Sequence, residues 1–236
     1  MTRPATERAT GSAPEALPVG PLPQARTVLA VTSRPGQEST DLGLLLYAFG
    51  RHGACLALLS LTRGEASPLN STCQRLETIR PWELLTAAGL LGVSSVAVAD
   101  YPDGGLSRCP ITDLAELVRR EIREHAPDLV LVTDPADGDA DDAAVARVVG
   151  SAAEQAGVPV LARMRPAAHG GRMADLGPTA AAAHAVRRSA IAAHASQFRA
   201  RPPGEPAWPS RPSRERLRWL VAPRPERIPA RPQRNG

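Results

Sequence analysis

The sequence predicts an α/β domain of three layers, a Rossmann-like parallel sheet between helices, and two features carry that expectation. Short apolar runs rich in Val, Leu and Ala recur at 27–33, 54–62, 93–98, 128–133 and 159–162, the composition of parallel strands buried on both faces. Between them apolar residues return at helical spacing. Strand and helix therefore alternate as in βαβ units with right-handed crossovers.

The elements follow in order. Residues 1–25, mostly Pro, Ala, Thr and Gly without periodicity, read as a disordered leader. The first strand breaks into Arg34, Pro35, Gly36, Gln37 and Glu38. A helix then carries Leu42, Leu45, Leu46 and Phe49 on one face, with Asp41 as its N-cap and Gly53 as its stop. After the second strand and a loop at 63–70, a helix covers 72–91, with a kink or restart predicted at Pro81. The third strand leads into a turn at 101–106. The next helix, 113–125, aligns Leu114, Leu117, Val118 and Ile122, with Asp113 and Glu116 spaced as a capping box.

The fourth strand opens into an acidic run, Asp134, Asp137, Asp139, Asp141 and Asp142, and the helix beyond it presents Val145, Val148, Val149 and Ala152 and stops at Gly157. A fifth strand, a Gly/Pro-rich passage to Pro178 and an Ala-rich helix at 179–194 complete the domain, expected at 26–198. Residues 199–236 form a Pro/Arg-rich tail, expected to be disordered, in which 217–221 could add a short strand or helical turn.

With 236 residues the chain buries one sizeable core, and aromatics at 3% leave that core to Ala, Leu and Val. All 28 basic residues are Arg. The net charge of +4 is misleading about the body of the chain, because 197–236 holds ten Arg against three Glu and leaves about −3 for the rest. Specific nucleic-acid binding is therefore not expected, whereas the basic tail is expected to contact acidic partners. Cys55, Cys73 and Cys109 are an odd count without C-x-x-C spacing, as for free thiols in a reducing cytoplasm. No apolar run reaches the ~18 residues of a membrane span, and the N-terminus lacks an apolar signal core, so the expected location is cytoplasmic.

The common catalytic fingerprints are missing. There is no G-x-G-x-x-G or Walker A loop, no G-x-S-x-G elbow, and the five His are not at H-x-x-H or H-E-x-x-H spacing. Asp137, Asp139 and Asp141 are spaced like the start of a calcium loop. The sixth position is Asp142 rather than Gly, however, and the twelfth is Val148 rather than Glu. Acid at a helix N-terminus, favoured by the helix dipole, is the simpler reading, with a weak divalent site as the alternative.

A further set of motifs occurs in a fixed order. They are Leu-Thr-Arg-Gly-Glu at 61–65, Arg-Pro-Trp-Glu at 80–83, Ala-Ala-Gly-Leu-Leu-Gly-Val at 87–93, Tyr-Pro-Asp-Gly-Gly-Leu at 101–106 and Ala-Ile-Ala-Ala-His-Ala-Ser-Gln at 190–197. Across about 27–197 the chain thereby resembles the LmbE-like N-deacetylases, which include the PIG-L enzymes. The resemblance implies an LmbE-like fold, zinc-dependent removal of acetyl groups from amino sugars, and a pocket for such sugars or another polar small molecule.

The two stretches that carry the family's chemistry depart from its pattern. The family's H-P-D-D-E, holding two zinc ligands and the general base, is matched here by Arg34, Pro35, Gly36, Gln37 and Glu38. Its H-P-D-H, holding the third ligand and a group that helps stabilise the oxyanion, is matched by Asp139, Ala140, Asp141 and Asp142. Arg34 has no lone pair to give a metal, and Gly36 has no side chain to take a proton. No catalytic residue is thus expected intact, and no bound cofactor. Glu38, Arg80, Asp103 and His194 match positions that orient the sugar or brace the site, and Arg34 is expected to pair with the acidic run.

The expected function is a deacetylase relative that has lost its chemistry and serves binding or regulation. One alternative is an active metal-dependent N-deacetylase using Asp139, Asp142 and Gln37 with another ion. A second is an interaction module docking through its Arg/Pro tail.

Overall fold

A mixed sheet of eight strands, in the order β1-β7-β8-β6-β5-β2-β3-β4, forms the middle layer of the protein. The computed structural model describes residues 18–66, 75–166, 168–198 and 214–224. In chain order the elements are β1 (Val19–Pro21), β2 (Thr27–Thr32), α1 (Gln37–Thr40), α2 (Gly43–Arg51), β3 (Cys55–Thr62), α3 (Leu76–Leu90), β4 (Ser95–Tyr101), α4 (Ile111–His125), β5 (Leu129–Thr133), α5 (Ala140–Ala156), β6 (Val160–Met164), β7 (Arg172–Asp175), α6 (Ala180–Ala193), α7 (Ala195–Phe198) and β8 (Arg214–Val221).

The period-two alternation of β2 divides the core. Val28 and Ala30 face a cluster with Leu45, Leu84 and Ala190 of α2, α3 and α6. Leu29 and Val31 face the opposite layer, with Val118 of α4 and Val145 and Val149 of α5. Both sides of the central strands are therefore dry, which is why β2, β3 and β5 read as unbroken apolar runs. β2 lies between β3 and β5 and is parallel to both. The chain order runs one way from β2 through β3 to β4 and the other way through β5 to β6, so the sheet reverses beside the end of β2. Such a reversal opens a crevice at the strands' carboxyl ends.

The ends of the chain differ most from expectation. Part of the predicted leader is β1, which pairs with β7; residues 1–17 lie outside the described residues. The predicted tail contributes β8, inserted between β6 and β7 and antiparallel to both, with Leu217 fully buried. The folded unit thus extends beyond 26–198 at both ends, and the sheet is not wholly parallel. A buried charged group links β8 to β6 and to the turn after α1. Arg163 of β6, fully buried, binds Glu215 at 3.2 Å and Asp41 at 3.1 Å, while Arg187 of α6 donates to the carbonyls of Ser39 and Thr40 at 3.1 and 2.8 Å. Three of the tail's ten arginines have partners on the fold: Arg218 pairs with Asp134, Arg216 donates to the Gly170 carbonyl at 3.1 Å, and Arg214 lies 3.6 Å from Asp175.

Smaller corrections have local causes. Asp41 caps no helix N-terminus, because it is drawn to Arg163; α2 begins instead after Leu42. Glu116 forms no capping box and pairs with Arg119 and Arg123 on its own helix. α3 runs unbroken through Pro81, so the single missing N–H is tolerated without a restart. Among the described residues no helix is long and apolar enough to cross a membrane. Cys55 and Cys109 are free thiols, and Cys73 lies outside the described residues.

Candidate functional site

The loops leaving β2, β3, β4 and β5 meet at the carboxyl edge of the sheet, and the chain beyond α6 closes over them. The turn after β2 depends on Gly36, whose φ of 105° is closed to most side chains. A Cβ there would also lie 3.0 Å from the Gln197 amide oxygen. The turn passes straight into α1, whose first residue, Gln37, is turned back toward the strand. Its amide oxygen accepts the Ser33 N–H at 3.0 Å, and its amide nitrogen donates to Asp142 Oδ1 at 2.7 Å. The Ser33 hydroxyl reaches the same Asp142 oxygen at 2.7 Å. Asp142 is buried, and burial pushes its carboxyl above the usual range despite these two bonds.

Arg34 occupies the middle of the crevice. Its guanidinium forms a close ion pair with Asp139 Oδ2 and lies 3.8 Å from Asp103 Oδ1. Asp139 is held by its second duty as the N-cap of α5, where Oδ1 accepts the N–H groups of Asp141 and Asp142 at 2.9 and 3.2 Å. Burial alone would lower the Arg34 pKa, but Asp139, Asp142 and Asp103 outweigh it and the pKa rises. Asp139 is the counterpart: burial raises it, the Arg34 charge and hydrogen bond outweigh that, and its carboxyl falls below the ordinary range.

Asp103 and Arg80 lie beside this pair. Asp103 Oδ2 accepts the Ala66 N–H at 3.0 Å, and its own N–H donates to Glu65 at 2.9 Å. Its Oδ1 is buried without a hydrogen bond, and burial raises its pKa. Arg80 is fully buried, none of its three guanidinium nitrogens has a hydrogen-bond partner among the described residues, and burial lowers its pKa. Gly64 makes room for it, since a Cβ at that φ of 75° would come within 2.8 Å of Arg80 Nη1.

Glu38 and His194 stand behind this group. Both are fully buried, and His194 Nε2 meets Glu38 Oε1 at 2.6 Å. Glu38 also accepts the Gly36 N–H at 2.7 Å and the Ser39 hydroxyl at 2.5 Å. This pair ties α6 to the turn after β2. Glu83 secures the same closure by accepting the Ser196 N–H and hydroxyl, each at 2.6 Å, and the Gln197 amide donates to the Pro35 carbonyl at 3.1 Å.

All nine residues singled out from the sequence thus lie in one linked region: Arg34, Asp139, Asp142, Gln37 and Asp103 at its centre, Arg80 beside them, and Gly36, Glu38 and His194 beneath. Ser33, Glu65, Glu83, Ser196 and Gln197 take part and were not singled out. Glu65, Glu83, Ser196 and Gln197 sit inside the recognised motifs, whereas nothing in the sequence marked Ser33.

The donor set does not fit zinc. Arg34 has no lone pair to give a metal, Gly36 has no side chain to take a proton, and Asp139 and Asp142 are already engaged by Arg34, Ser33 and Gln37. Among the described residues, the His and carboxylate side chains close enough to share an ion are Glu121, Glu124 and His125. They lie where α4 leads into β5, at the opposite end of the sheet. A cavity of about 720 Å³ is also elsewhere, between α5 and the end of β8, lined by Ala146, Arg147, Gly150 and Leu220 among others.

Solved structures share this architecture at low identity. The conserved protein TT1542 from Thermus thermophilus is 22% identical, with a TM-score of 0.61 over 72% of this chain and 79% of that one. The N,N'-diacetylchitobiose deacetylase from Pyrococcus horikoshii is 19% identical, with a TM-score of 0.60 over 74% of this chain and 71% of its own. GalB, the 4-carboxy-2-hydroxymuconate hydratase from Pseudomonas putida, is 18% identical, with a TM-score of 0.62 over 84% and 97%. Identities this low establish the fold alone. No curated protein sequence matches the chain. A family model does match, spanning residues 29–153 and hence β2, the Arg34 turn, Arg80, Asp103 and the acidic start of α5; by that match the chain belongs to the PIG-L family of GlcNAc-PI de-N-acetylases.

Proposed function

We propose that this chain is a PIG-L-family protein without the family's metal chemistry, which uses the inherited crevice to bind a sugar-like polar molecule in a binding or regulatory role. The observation that carries the reading is Arg34, at the first zinc-ligand position, held in a close ion pair by Asp139. The guanidinium offers no lone pair and repels a divalent ion. Deacetylation further needs a base to activate water, and Gly36 supplies none. Asp142 is the nearest substitute by position, but Ser33 and Gln37 both donate to it, which holds it in place rather than freeing it to take a proton.

Arg80 and Asp103 support a polar ligand. Buried donors and a buried acceptor without partners are costly, and hydroxyls that accept from Arg80 and donate to Asp103 Oδ1 would satisfy both. Glu38 and His194 act here as braces for the turn. The test is a pair of measurements on the full chain. Incubation with N-acetylglucosamine derivatives, with and without added zinc, is expected to release no acetate, and calorimetry with the same compounds is expected to show binding. Acetate release abolished by a chelator would overturn the loss of chemistry; no heat and no thermal shift would overturn the ligand role.

A further inference from the structure

Arginine is concentrated where the chain adds β8. Arg214, Arg216 and Arg218 alternate along that strand and so share one face of it. Arg218 lies opposite Ala162 of β6, which packs beneath α4 and α5, so this face is on the α5 side of the sheet. Beyond Arg218 the register of β8 slips against β6, and Leu220 and Val221 both pack on that same side. The cavity of about 720 Å³ lies between them and α5. Ala146, Gly150, Leu220 and Val221 give it an apolar lining, to which Arg147 and Arg224 add their charges. Asp134 pairs with Arg218 and Asp175 lies near Arg214, but Arg216 has only the Gly170 carbonyl. Arg147 and Arg224 have no polar partner among the described residues, and neither has Glu154, the acid in the lining.

We infer that this trough between α5 and β8 is a docking site for a short acidic peptide segment that also carries apolar side chains. The inference does not depend on the reading of the crevice, with which the trough shares no residue. Charge selects the partner. Arg147, Arg216 and Arg224 are guanidiniums without a carboxylate among the described residues, and arginine grips a carboxylate through a planar, two-pronged fork. The sequence on either side of β8 has the same sign, since 199–213 and 225–236 hold six more arginines against Glu205 and Glu226. Shape selects the kind of partner. From Ala143 to Gly157 the lining follows α5 for about 21 Å, the span of about six extended residues. The apolar lining accepts aliphatic side chains, whereas no aromatic side chain lines the cavity on which a nucleic-acid base could stack. A concave trough also cannot lie flat on a bilayer.

The experiment is fluorescence anisotropy on the full chain with a fluorescein-labelled peptide of three Asp-Glu-Leu repeats, and an Asn-Gln-Leu peptide as the neutral control. The acidic peptide is expected to bind, more weakly as salt is raised to about 0.15 M, and the neutral one not to bind. Arg147→Glu and Arg224→Glu should each weaken binding roughly 5–10-fold, and Glu154→Gln should tighten it. Gly150→Leu separates the trough from surface charge in general. A Cβ at Gly150 meets nothing within 4 Å, so a leucine has room, fills the cavity and should weaken binding with no charge altered. All four variants are expected to melt with the wild type, and if one fails to fold the other three carry the comparison. No binding of the acidic peptide overturns the inference, as does binding that Arg147→Glu and Gly150→Leu leave unchanged. Tighter binding of duplex DNA or of phosphatidylserine vesicles at the same salt overturns it as well.

Discussion

Gly36 sets the turn after β2 and leaves no room for a side chain. The backbone there has a φ of 105° and Gln197 rests against it, so an Asp cannot be introduced there in isolation. Gly36→Asp is expected to destabilise the protein by about 1–3 kcal/mol from backbone strain, read as a lower melting temperature. Arg34→His is expected to release no acetate even with zinc, because the base is still missing. Even Arg34→His, Gly36→Asp, Gln37→Asp, Asp139→His and Asp142→His together meet this strained turn. Asp142 gives the matching pH prediction. Its folded pKa is raised, so the stability its protonated form contributes is complete below the ordinary carboxylate range and is lost as pH rises through the elevated value. Asp142→Asn, whose carbonyl can still accept from Ser33 and Gln37, should therefore raise the melting temperature at pH 7 and lose that advantage in acid. Equal shifts at both pH values would contradict it. Asp139, whose pKa is lowered, has the opposite sign, and its contribution fades as pH falls.

At the scale of the element, β8 is the strand that joins β6 to β7. It reads R-E-R-L-R-W-L-V, half of it charged, and only pairing shows that Glu215 and Leu217 face inward while Arg216 and Arg218 face the other side. Charge on a buried strand is tolerated because Arg163 waits on β6 for Glu215. A tail of the kind expected from composition could be cut away with little effect. The structure predicts instead that truncation after Phe198 unfolds the protein, because it leaves β6 and β7 without the strand between them. Leu217→Ala should cost about 2–5 kcal/mol, as for other fully buried leucines. Denaturation midpoints check both, and a truncated chain melting within a few degrees of the full one would refute the first.

For the whole molecule, the topology decides where chemistry could occur, and the charges there are what the proposed loss of zinc chemistry rests on. The switch beside β2 brings the four loops together whatever residues they hold. In this chain they hold a guanidinium among carboxylates. Purified full-length protein is accordingly expected to carry no stoichiometric zinc, and neither zinc nor a chelator should shift its melting temperature. A zinc site occupied at a hundred times its dissociation constant would add about 2.7 kcal/mol, well within reach of that measurement.

The sequence by itself determined the central strands, the helices that cover them and nine of the residues that meet at the carboxyl edge of the sheet. Apolar runs and helical spacing are local signals, and the motifs at 61–65, 80–83, 101–106 and 190–197 each carry their own chemistry. It also showed that Arg34 and Gly36 cannot do the work of a ligand and a base, since that follows from the side chains alone. Tertiary structure decided the rest. Whether Arg34 would find Asp139, Glu38 turn inward to His194, or Arg80 remain without a partner depends on loops far apart in the chain. β1 and β7 were hidden for the same reason, and β8 was legible only as a possible short strand at 217–221: a short or charged strand becomes readable only once its neighbours supply hydrogen bonds and counter-charges that no local pattern records.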